Sequence, residues 1–138
     1  MAIRPKFNTE GKTVLMPCAT SQTIVKGDML VDNGSGYLGT AASGGGVTPT
    51  HVAMDTVTTT ADGQLVLCVR TTDGGIFEAD CDAAVAQTDV GTYADMASKS
   101  TIDPDASADD VFYIEKIIGT AGTSTVVQGW FAYGVPNS

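Results

Sequence analysis

Positive charge is scarce in this 138-residue chain: seven Lys and Arg stand against sixteen Asp and Glu, for a formal net charge of −9. So acidic a body repels phosphate backbones and anionic lipid, so neither nucleic acid nor a membrane surface is an expected partner. Histidine and tryptophan occur once each, as His51 and Trp130. Cysteine occurs three times, as Cys18, Cys68 and Cys81, widely spaced and without a C-x-x-C pair. With one histidine to complete a ligand set, no zinc site is expected, and the thiols read as small free side chains in a reducing compartment. Nowhere do about eighteen apolar residues run together, and residues 1–10 lack the apolar core of a signal peptide. The expectation is a protein made in the cytosol that stays soluble. Sustained three-to-four-residue apolar spacing is also missing, so no long amphipathic helix is available to cover a sheet.

What the chain does have is alternation. Apolar residues make up 43% and charged residues 17%, a globular composition, and the length suits one domain able to bury its own core. Period-two runs interrupted by Gly and Asp turns predict strands at residues 13–16, 28–32, 37–41, 51–57, 64–72, 76–79, 111–118 and 125–133. Asp73-Gly74-Gly75 reads as a hairpin turn returning 76–79 antiparallel to 64–72. The run 119–124 joins the two closing strands, and 82–87 has room for a helical turn. Without a covering helix the sheet must bury its apolar face on another sheet or on itself. The predicted fold is all-β, a single-domain jelly roll, β-barrel or sandwich of mainly antiparallel strands. Residues 42–50, Ala-Ser-Gly-Gly-Gly-Val-Thr-Pro-Thr, read as a flexible surface loop. A weak internal echo links Val25–Asp32 with Ala86–Asp95: each is a polar turn with an aspartate, a short apolar strand and a second aspartate.

The most chemistry-like run is Asp103-Pro104-Asp105-Ala106-Ser107-Ala108-Asp109-Asp110, whose oxygens at alternate positions mimic a calcium loop. A helix-flanked calcium loop needs glycine at its sixth position and glutamate at its twelfth. Here those positions hold Ala108 and Ile114. Asp103, Asp105 and Asp109 therefore read as a solvated turn whose aspartates bond their own backbone, and no metal is expected. A Cys–His nucleophile is not indicated, because Cys68 lies mid-strand among apolar neighbours. Gly44-Gly45-Gly46 lacks the lysine and helix of a phosphate loop. No catalytic constellation emerges; the expectation is a protein with neither enzymatic activity nor a cofactor.

Three of the seven basic residues, Arg4, Lys6 and Lys12, fall within the first twelve positions beside one acid, Glu10. With Pro5 keeping the chain extended, residues 1–12 read as a basic arm on an acidic body formed by 13–138, docking on an acidic partner. In the closing strand, apolar on both faces, the expectation is Trp130 in the core, with Phe131 and Tyr133 nearer a partner interface.

A resemblance joins several of these segments. Ile24–Val31 (IVKGDMLV), His51–Asp55 (HVAMD), Gly63–Arg70 (GQLVLCVR) with Gly75–Glu78 (GIFE), and Val90–Ala94 (VGTYA) resemble the order of elements in the small capsid decoration, or cement, proteins of tailed bacteriophages. The similar part spans about half the chain. The resemblance implies a β-barrel or jelly roll on the outside of a phage capsid, assembled in the host cytoplasm, which bridges neighbouring major capsid subunits. It also implies a homodimer or homotrimer. The alternative is a β-sandwich binding module, a head-fibre or glycan and host-surface recognition domain.

Overall fold

The computed structural model describes residues 1–10, 12–42 and 48–134. Its elements are almost all strands, as the alternation predicts. In chain order the first eight are β1 (Ile3–Phe7), β2 (Thr13–Cys18), β3 (Thr23–Ile24), β4 (Met29–Asp32), β5 (Leu38–Thr40), β6 (His51–Ala53), β7 (Val57–Thr58) and β8 (Gln64–Arg70). After them come β9 (Ile76–Asp80), β10 (Tyr93–Ser98), β11 (Thr101–Asp103), β12 (Phe112–Ile117) and β13 (Val126–Phe131). Among the described residues one turn of 3-10 helix forms, Gln87–Asp89, sharing only Gln87 with the segment 82–87 expected to hold a helical turn.

Strands β2-β5-β4-β6-β8 close into a barrel. Its interior takes alternate residues: Cys18, Leu30, Leu38, Ala53, Val66 and Cys68 form one buried cluster, with Ile24 of the small β3–β7 ribbon as its lid. The remaining strands form a six-stranded sheet in the order β1-β9-β13-β12-β10-β11. A parallel bridge between Cys81 and Ile102 joins the last strand back to β9, so this sheet also curls into a ring.

The second ring repeats the strand pairings of the first. Pairings β2–β8, β4–β5, β4–β6 and β6–β8 recur as β9–β13, β10–β11, β10–β12 and β12–β13. The register recurs too: His51↔Arg70, Val52↔Val69 and Ala53↔Cys68 match Phe112↔Phe131, Tyr113↔Trp130 and Ile114↔Gly129. Each ring closes through a parallel contact after a cysteine, Cys18↔Leu38 in one and Cys81↔Ile102 in the other. Gly27 N–H donates to Ala53 O at 2.8 Å and Gly91 N–H to Ile114 O at 2.8 Å. The echo seen in sequence is one turn of this larger repeat.

The rings do not stand apart. Met29, Val52 and Val69 point away from the first interior and join the second ring's residues, among them Phe77, Phe112, Ile114 and Phe131, in one buried cluster. The barrel and the curled six-stranded sheet thus share one core.

Several expectations need correction. Strands β8 and β9 do not pair; they belong to different rings, and Asp73–Gly75 carries the chain between them. Part of the loop 42–50 falls on residues 43–47, outside the described residues, while its far end is pinned: Thr71 Oγ1 donates to Pro49 O at 2.8 Å and Thr71 N–H to Thr50 O at 2.9 Å. Residues 3–7 are the edge strand of the six-stranded sheet rather than a separate arm. β1 pairs antiparallel with β9 and Ile3 is buried.

The basic residues of β1 meet acids of β9. Arg4 holds Asp80 in a two-pronged contact, Nη1 to Oδ2 and Nη2 to Oδ1, both 2.9 Å, and Lys6 Nζ lies 3.2 Å from Glu78 Oε2. Hydrogen bonding from Arg4 holds the Asp80 carboxyl below its usual value against the opposing effect of burial. A depressed carboxyl contributes stability above its unfolded pKa of about 4 and loses it as pH falls through the lower folded value. Asp80→Asn should therefore cost about 1–2 kcal/mol near neutral pH, and its melting-temperature gap from the wild type should begin to narrow as pH falls below about 4 and close as Asp80 becomes protonated in the folded protein. A gap that does not narrow with falling pH would place the cost elsewhere.

Candidate functional site

Of the five residues expected to meet a partner, Arg4 and Lys6 are committed to Asp80 and Glu78 inside the molecule. Lys12 Nζ donates to the Asp73 carbonyl on the connection between the rings. Phe131 is 0% exposed, which corrects its assignment to an interface. Register explains the error: Phe131 lies opposite inward-facing Phe112, and Trp130 opposite outward-facing Tyr113, so the two faces of β13 are the reverse of those expected. Tyr133, beyond the strand end, is 76% exposed.

Lys12 and Tyr133 flank one feature. Gly134 packs so closely on the Thr71 carbonyl that a Cβ there would sit 1.8 Å from the oxygen, which places Tyr133 beside the 71–75 connection that Lys12 grips. Thr9 reaches the same connection, its Cγ2 being 3.0 Å from where a Cβ on Gly75 would lie. Two residues before it, Phe7 is 51% exposed. One end of the molecule thus presents Phe7, Lys12 and Tyr133 around the junction of the two rings.

The acidic run is organised by a residue the sequence did not single out. Asp95 Oδ1 accepts from the backbone N–H of Asp109 at 2.8 Å and of Asp110 at 3.1 Å, and its Oδ2 accepts from Ala108 at 2.9 Å. Asp103 Oδ1 accepts from Asp105 N–H at 3.0 Å, the aspartate turn expected from the sequence. Among the described residues no three His, Cys, Asp or Glu side chains come together as a metal set.

The thiols are buried, and burial pushes both Cys68 and Cys81 up to about 12, so at neutral pH neither is a thiolate nucleophile. His51 pairs across the strand with Arg70 while Cys68 pairs with Ala53. Its Nδ1 lies 2.8 Å from Thr50 Oγ1, and burial, then Arg70, holds its pKa below the usual value.

Two surfaces escaped the sequence reading. On the second ring Tyr113 stacks on Trp130 with centroids 4.6 Å apart, and Tyr93 meets Tyr113 edge-on at 5.2 Å. These three occupy the register positions of Met29, Val52 and Val69, whose face in the first ring packs between the rings; in the second ring it is half-buried. On the first ring, Leu15 and Leu65 stand 56% and 59% exposed. Alternation alone could have placed Tyr93 and Tyr113 opposite Ala94 and Phe112; their meeting depends on which strands pair.

No protein-family model matches the chain, and no curated protein or solved structure shows significant similarity to it.

Proposed function

We propose that the chain is a structural protein of a bacteriophage virion, bound to the capsid exterior, which stabilises the shell by bridging neighbouring major capsid subunits. The observation that carries this reading is where the resemblance falls. GDMLV, HVAM, GQLVLCVR, GIFE and VGTYA become β4, β6, β8, β9 and β10 with their leading turns, so the similarity lies in the segments that set the barrels. The end formed by Phe7, Lys12 and Tyr133 supplies a contact with exposed aromatic rings, the side chains that most often anchor interfaces. Each contact is modest; repetition over a shell makes the total large.

A second reading, a module that binds glycan or a host surface, is favoured by the Tyr93–Tyr113–Trp130 cluster, since flat aromatic rings are platforms for stacking. The test is binding to purified phage capsids. Tyr133→Ser and Phe7→Ser should each lower occupancy about tenfold or more while the melting temperature stays within a few degrees. Full occupancy in both variants removes this end from the contact. Binding to immobilised glycans but not to capsids would replace the capsid reading with the second.

A further inference from the structure

The repeat exposes a difference between its two copies. In the second ring the outer edge of β9 is covered by β1: Asp80 N–H donates to Ala2 O at 3.2 Å and Arg4 pairs with Glu78. The corresponding edge in the first ring belongs to β2. Arg70 N–H donates to Lys12 O, and hydrogen-bonded pairs alternate along an antiparallel ladder. Val14 and Met16 therefore turn their backbone groups toward β8, and Thr13, Leu15 and Pro17 turn theirs away. Among the described residues, β2 has a partner on that outer side only at Cys18, which pairs with Leu38.

The side chains along the bare edge differ in kind from those of its counterpart. Register equates Leu15, Pro17, Leu65 and Leu67 with Glu78, Asp80, Val126 and Gln128. In the second ring this patch is polar and answered by Arg4 and Lys6. In the first it is uncharged and half open to solvent, with Leu15 and Leu65 the most exposed. An unpaired strand edge beside exposed leucines is a template for another strand.

We infer that this edge pairs with the same edge of a second copy, antiparallel about a twofold axis through Leu15. The charge distribution selects that occupant. A twofold contact sets each residue near its axis against its own image, so in a chain of net charge −9 the centre must be free of acids. The run Thr13-Val14-Leu15-Met16-Pro17 is free of charge altogether. The Leu15 N–H and C=O of each copy bond to those of the other, and each Thr13 N–H donates to the partner's Pro17 carbonyl. Proline supplies no N–H in return, which shortens the ladder at both ends. Leu15, Leu65 and Leu67 of the two copies then form one continuous apolar strip across the seam, a strand addition in which main-chain bonds give affinity and the leucines give selectivity.

The test is sedimentation equilibrium of the full chain. Wild type should be a dimer at micromolar concentration, and Leu15→Lys, which sets two like charges at the axis, should raise the dimer Kd by about a hundredfold. Leu65→Lys, farther from the axis and already exposed, should do the same more weakly with the fold intact by circular dichroism. Mixing Leu15→Lys with Leu15→Glu chains should restore a dimer, because opposite charges then meet; a purely structural defect would not be rescued. A wild type that stays monomeric, forms a trimer, or remains equally dimeric as Leu15→Lys overturns the inference.

Discussion

Gly129→Ala is expected to prevent the second ring from closing. A Cβ at this position would lie 1.8 Å from the Tyr113 carbonyl oxygen and 2.9 Å from Cε1 of Phe112. The first obstacle is backbone of the paired strand and the second is a ring of the buried cluster, so no flexible side-chain tip can swing aside. The ladder already shifts register between Ile114 and Lys116, and this irregularity brings the β12 backbone so close to β13. Relief requires parting β12 from β13, the central pair of the sheet. A cost above about 4 kcal/mol follows, comparable to the whole stability of many domains. The first ring carries Cys68 at the equivalent position, fully buried as a side chain, so the restriction comes from the irregular ladder and not from the fold. Gly122→Ala is the control: a Cβ there meets nothing within 4 Å, though its φ of +82° is unfavourable to other residues, and about 1 kcal/mol is expected. Thermal melting followed by circular dichroism separates the two; similar melting temperatures would mean that β12 and β13 part more easily than this contact implies.

Most of the longer strands were legible because alternation is a local signal, while the short or edge strands β1, β3 and β11 were not; the partners were not either, because pairing is not local. Asp73-Gly74-Gly75 does make a turn, with Gly74 at φ +78°, but a turn does not say which sheet receives the next strand. β8 finds β2 some fifty residues back and β9 finds β13 as far ahead. Arg4 and Lys6 looked like a free basic arm because Glu78 and Asp80, which neutralise them, lie more than seventy residues away. The repeat was faint for a similar reason. Its copies agree in register while differing in kind, Leu30 with Ala94, His51 with Phe112 and Arg70 with Phe131. Cys18 and Cys81 keep the same residue at the closing contact, a spacing with meaning only once the topology is known. The candidate surfaces were least visible of all, since Tyr113 and Trp130, or Leu15 and Leu67, become neighbours only across paired strands.

Phe131→Ala should cost about 3–5 kcal/mol and lower the melting temperature by about 10–20 °C. The ring is fully buried and meets Phe77 at 5.2 Å and 80° and Phe112 at 5.2 Å and 85°. Both are edge-to-face contacts that add to the area term. Its loss leaves two phenylalanines facing a void in a dense core, where neighbours collapse only in part. The damage reaches beyond one ring, because the same cluster contains Met29, Val52 and Val69 of the first barrel, so the packing that holds the barrels together weakens with it. Trp130→Ala should cost less, about 1–2 kcal/mol, since it removes a half-buried ring stacked on Tyr113 whose buried Nε1–H has no hydrogen-bond partner among the described residues, while Phe131 is fully buried. Expectation from sequence alone ran the other way, because alternation does not say which face of a two-faced strand points inward. The comparison is direct: both variants are melted under one buffer condition, and a Trp130→Ala protein less stable than Phe131→Ala would mean that the faces of β13 are the reverse of those described.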